Sequence, residues 1–153
     1  MTIGLLSRLL VLTVILNLLR YLVGGFIEGF TIMEPMHAPM ARFPEVFDTD
    51  FTANDFAVSL FYNFAMWFVA VCLFYKMQPS LKGGWWAKSF KGYGLVCLFF
   101  ISLAAVYMNH YTDAVKPFYF WSMVDALIVF SVVAAGNALL FPLLIPAAQR
   151  HNL

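Results

Sequence analysis

Four stretches of this chain are long and apolar enough to cross a bilayer, and this limits the folds open to it more than any other feature. A helix needs about 20 predominantly apolar residues to span a hydrocarbon core about 30 Å thick. Segments 3–30, 56–75, 93–111 and 118–144 meet that requirement. None shows the alternating stretches of about 10 residues that mark a barrel strand. A soluble domain would carry about 25% charged residues, whereas this chain has 11%, with 63% apolar residues. A globule of 153 residues has too much surface for its volume to hide so much apolar matter. The formal net charge of +1 leaves no basic excess to neutralise phosphates, which excludes a nucleic-acid partner. The fold expected is all-α: a compact antiparallel bundle of four transmembrane helices in the lipid bilayer, one domain over residues 1–153.

Local signals mark the helix ends. Thr52-Ala53-Asn54-Asp55 has the pattern of a capping box, in which side-chain oxygens satisfy free backbone N–H groups. Pro117 suits a first helical turn, where its missing N–H costs nothing. Gly83-Gly84 interrupts the chain between the second and third helices, and Pro142 and Pro146 mark the end of the fourth. The first helix resembles a secretory leader only superficially, because its apolar run is too long and it lacks a small-residue cleavage pattern.

Lysine and arginine counts set the orientation. Link 76–92 holds Lys76, Lys82, Lys88 and Lys91 and no acid, whereas link 31–55 holds Glu34, Glu45, Asp48, Asp50 and Asp55 against Arg42. The basic link and both termini are therefore expected in the cytoplasm, in a plasma or bacterial inner membrane; Arg8 and Arg150 agree. Trp85 and Trp86 on the inner side, and Phe118, Tyr119 and Trp121 on the outer, read as interfacial anchors. Cys72 and Cys97 read as small buried thiols rather than a disulfide.

Polar residues inside the spans are expensive, at about 2.5–3.5 kcal/mol for a charge at a helix centre. Thr13, Asn17, Arg20, Gly24 and Glu28 fall within an arc of about 80° on a regular helix and form one stripe. Lipid cannot satisfy that stripe, so it faces protein or water, and Gly24 is expected to let another backbone approach. Ser59, Asn63, Met66 and Ala70 share a side of the second helix; Ser102, Ala105 and Asn109 one of the third; Ser122, Asp125 and Gly136 one of the fourth. At 1.5 Å per residue, Asn63 and Asp125 lie about 10 Å below the outer ends and Arg20 about 15 Å. Arg20 is expected to pair with Asp125, Glu28 or both. Charge collects in the outer half, and the inner half reads as almost wholly apolar.

These positions support an outward-facing polar pocket of Arg20, Glu28, Asn63, His110 and Asp125 that binds or conducts a small ion or polar ligand. Two alternatives stay open: an accessory structural subunit of a larger membrane complex, and a metal- or redox-dependent membrane enzyme. A homo-oligomer is compatible with the first two. The third rests on Met33, Met36, His37 and Met40 in the outer link, since thioether and imidazole ligands suit copper(I). Pro35 and Pro39 suggest that this segment is extended or turning. No C-x-x-C, H-E-x-x-H, phosphate loop or nucleophile elbow is present. In topology and hydropathy the layout is similar in outline to several small four-helix membrane families, DoxX-like proteins among them, a likeness that extends to no motif.

Overall fold

The computed structural model describes residues 3–47, 50, 52–111 and 113–146. Among these the regular structure is entirely helical: α1 (Ile3–Leu19), a π-helical turn (Arg20–Gly24), α2 (Gly25–Thr31), α3 (Met33–Arg42), α4 (Ala53–Met77), α5 (Trp85–Met108) and α6 (Lys116–Leu144). α1, the π turn and α2 run as one rod. That rod, α4, α5 and α6 are each long and apolar enough to cross a membrane. Their outward surfaces are apolar as well, with Leu22, Phe26, Phe56, Phe61, Phe99 and Leu143 all more than half exposed. Such a surface suits lipid rather than water.

α6 is the hub. It packs most extensively on α5 and also contacts α1 and α3, whereas α4 lies mainly against α1. Leu5, Leu9, Leu12 and Leu16 form a buried ridge along α1 at spacings of four, three and four residues. Gly136 lets α6 approach this ridge closely, because a Cβ there would run into Leu19 and Leu16. At the end holding the beginning of α1 and the finish of α6, here the termini end, Phe74 packs edge-on against Phe141 (5.0 Å) and stacks on Tyr93 (5.6 Å). Gly92 is required at that contact, since a Cβ would sit 2.8 Å from the Phe74 ring. The Arg8 guanidinium donates to the Leu144 carbonyl (2.8 Å), placing a cation at the α6 C-terminus where free carbonyls and the helix dipole favour it.

The expected capping box is present. Thr52 N–H donates to Asp55 Oδ2 (3.0 Å) and Asp55 N–H donates to Thr52 Oγ1 (3.3 Å). Gly83 adopts φ +109°, which favours glycine, and an extended Gly84 then begins α5.

Three expectations change. The basic link is shorter than 76–92, because α5 starts at Trp85. Lys88 and Lys91 lie in its first turns and donate to the carbonyls of Gln78 (2.9 Å) and Lys82 (3.0 Å). The Met33–Met40 segment is not extended: it is helix α3. Pro35 occupies its first turn, where no helical N–H is needed, and Pro39 forfeits one backbone bond but is buried as α3 packs on α6. Thirdly, the termini half, expected to be almost wholly apolar, holds a buried polar cluster. Asn137 Nδ2–H donates to Ser89 Oγ (2.8 Å) and Tyr93 O–H donates to Asn137 Oδ1 (3.4 Å), and all three residues are fully buried. Asp48, Arg150 and His151 lie outside the described residues.

Candidate functional site

The π turn organises the polar stripe. A π-helical turn closes i→i+5 bonds and so takes one residue more per turn than an α-helix. On an unbroken α-helix Arg20 and Glu28 would sit about 80° apart; the extra residue cuts this to about 20° and puts both on one line. Arg20 Nη2 and Glu28 Oε1 come within 3.9 Å, with the two side chains 18% and 10% exposed. Gly24 lies between them. A Cβ there would stand 3.3 Å from Glu28 Oε1, so the space over this glycine holds a carboxylate and not the neighbouring backbone expected there.

Opposite Arg20, three further helices close a cavity of about 230 Å³. Asn63, Met66 and Trp67 come from α4, Phe100 from α5, and Ser122, Asp125 and Phe130 from α6. α4 and α5 meet at their hairpin through Phe74 and Tyr93 and share a cavity wall farther along. Trp67 is held edge-near to Phe130, with ring centroids 4.9 Å apart, and is 1% exposed.

Several polar atoms here make no hydrogen bond within the protein. Among the described residues, six buried side-chain atoms make no hydrogen bond: Asn17 Oδ1, Arg20 Nε, Glu28 Oε1, Asn63 Oδ1, Trp67 Nε1 and Asp125 Oδ1. Four of those residues line the cavity, and the other two belong to the Arg20 stripe. Buried polar groups are normally paired, and each exception calls for a cause. Leaving one unpaired costs about 1–3 kcal/mol, more for a charged group. Elsewhere in the spans, Thr13 donates to the Leu9 carbonyl (2.8 Å) and Ser131 to that of Leu127 (2.6 Å).

Of the five residues expected at the pocket, Arg20, Asn63 and Asp125 line one cavity and Glu28 touches it through Arg20. Asp125 shares the cavity with Arg20 but forms no ion pair with it among the described residues. His110 stands apart, exposed at the end of α5, where its Nδ1–H donates to the Val106 carbonyl (2.7 Å). Ser102 and Asn109, on the same helix, are also exposed. Sequence reasoning missed Trp67, whose signal was its place four residues after Asn63 on one helical face.

Met33, Met36, His37 and Met40 fall within an arc of about 100° on α3; Met33 and His37 are exposed, Met36 and Met40 half-buried. Among the described residues no group of three or more His, Cys, Asp or Glu side chains gathers at one place, and Cys72 and Cys97 are free thiols.

In comparisons with protein families, curated proteins and solved structures, the chain matches none, so the outline likeness to DoxX-like proteins has no family match behind it.

Proposed function

We propose that this protein is a small membrane protein that binds a small polar ligand in the cavity between Arg20, Asn63, Trp67 and Asp125. One observation carries this reading: of the six buried polar atoms without a hydrogen bond among the described residues, four belong to residues that line one cavity. An ion pair that only fixed helix register would be expected to satisfy itself, as Asn137, Ser89 and Tyr93 do at the other end. Lys76, Lys82, Lys88 and Lys91 favour the termini end as cytoplasmic, which puts the cavity in the outer half of the bilayer.

Native mass spectrometry of the full chain, gently extracted in detergent, tests the reading. A retained small-molecule mass is expected, and its loss in Asp125→Asn and Asn63→Leu while helicity by circular dichroism stays unchanged. A bare chain in every preparation would refute it. Other polypeptides at fixed stoichiometry, without a retained small mass, would point instead to an accessory subunit. Metal analysis of the same sample addresses the Met33, Met36, His37 and Met40 arc.

A further inference from the structure

The cavity's edge differs in character from its floor. Of the residues that line it, only Met66 and Phe100 are exposed, at 39% and 38%; the rest are buried or half-buried. Both are apolar; Met66 stands at the middle of α4, and Phe100 two-thirds of the way along α5, about 12 Å from its end. Around them the surface stays apolar, with Tyr62 and Val69 exposed beside Met66 and Leu103 beside Phe100. At these depths the surface of an apolar spanning helix faces hydrocarbon, not water. The polar floor is therefore reached sideways, through lipid.

The floor also specifies the chemistry of what binds. Arg20 Nε–H and Trp67 Nε1–H are unpaired donors, and Asn63 Oδ1 and Asp125 Oδ1 are unpaired acceptors. A bare metal ion would leave both donors unsatisfied. A bare anion would face two acceptors, one of them a carboxylate. A group that both donates and accepts meets both kinds: the hydroxyl of a phenol or alcohol accepts from both donors and donates to one acceptor, and a primary amide answers all four. An apolar cavity of about 150 Å³ holds one benzene, so 230 Å³ suits a head of about nine heavy atoms.

Resting on the binding reading above, we infer that the ligand is a membrane-dissolved amphiphile. Its compact donor–acceptor head enters between Met66 and Phe100, and its apolar remainder stays in the bilayer. Lateral entry removes the need for a water-filled path through the bundle. It also fits Arg20, whose Nε is buried at the cavity without a hydrogen bond.

The test uses the full chain, labelled with 5-fluorotryptophan, in phosphatidylcholine nanodiscs. The protein has four tryptophans, and of the described lining residues only Trp67 is one; Trp67→Phe assigns its fluorine resonance. Two probes carry the same phenol head: 4-hexylphenol, which partitions into lipid, and 4-hydroxybenzenesulfonate, which stays in water. The expected result is a saturable shift of the Trp67 line by 4-hexylphenol, with the Trp85 and Trp86 lines unmoved and no response to the sulfonate. Asp125→Asn and Asn63→Leu should each raise the half-saturating concentration about tenfold, the difference between a charge-assisted or intact hydrogen bond and a weakened one. A Trp67 shift produced by the sulfonate, and weakened by Asp125→Asn, would overturn lateral entry while leaving the binding reading intact. Equal, unsaturable drift of all four lines with 4-hexylphenol would overturn the inference as a bulk lipid effect. No Trp67 response to either probe, together with no retained mass, would overturn both.

Discussion

Asn137 and Asp125 lie on the same helix, about 18 Å apart along its axis, and the protein treats them in opposite ways. Asn137 is closed off by Ser89 and Tyr93, with one side-chain group donating and the other accepting. Asp125 faces a cavity with a bare oxygen, beside Asn63, Arg20 and Trp67 in the same condition. Hydrophobic burial alone would favour completing both clusters, since an unpaired polar group in a membrane has nothing else to bond. The first cluster bonds α5 to α6; the second leaves four polar atoms without a hydrogen bond.

Substitutions should separate the two. Asn137→Ala removes both hydrogen bonds and leaves a void between α5 and α6, and should destabilise the fold by about 2–3 kcal/mol, read by denaturation in mixed micelles. Gly136→Ala pushes a methyl group into Leu16 and Leu19 and should cost about 1–2 kcal/mol by overpacking in the same assay, with the cavity unaffected. Asp125→Leu should do the reverse of Asn137→Ala: stability unchanged or raised by about 1 kcal/mol, because an unpaired carboxylate oxygen is removed, while the retained ligand mass disappears. If Asp125→Leu instead unfolds the protein as readily as Asn137→Ala, the two clusters are alike and both are architectural.

The smallest effect belongs to a solvated pair that serves as a reference for the buried ones. Lys116 Nζ donates to Asp113 Oδ1 (2.7 Å) in the α5–α6 turn, and this bond and its charge hold the Asp113 carboxyl below its ordinary 3.8. A lowered folded value means that the contribution is fully present above the ordinary value and fades as pH falls through the lowered one. Lys116→Ala should return Asp113 to the ordinary range in an NMR titration, with no measurable change in the denaturation midpoint at neutral pH.

The spans were legible in the sequence because a bilayer demands long apolar runs. Their ends were legible where a cap or a glycine pair spoke, at Thr52–Asp55 and Gly83-Gly84. The start of α5 was not: Lys88 and Lys91 looked like link residues, yet a helix can continue past the hydrocarbon while its lysines cap nearby carbonyls. Helix α3 was hidden by Pro35 and Pro39, whose local preference yields to packing on α6. Arg20, Asn63 and Asp125 could be found because charge and amide groups are conspicuous among leucines. Trp67 carried only the positional signal of its spacing from Asn63, because its one polar atom is masked by a large apolar ring, and Asn137 passed as a single polar residue in an apolar run.

The π turn at Arg20–Gly24 makes the aim of Arg20 a matter of register within the first rod. Sliding that wide turn along by one residue re-aims a single side chain by about 100° while the helix on either side keeps its face against its neighbours. Arg20 stands at the first residue of the turn, so the same slide would transfer it from the wide turn to the α-helix behind it. In the register observed, the guanidinium both pairs with Glu28 and lines the cavity; a register step inside one helix would take it from both, without any helix in the bundle changing place.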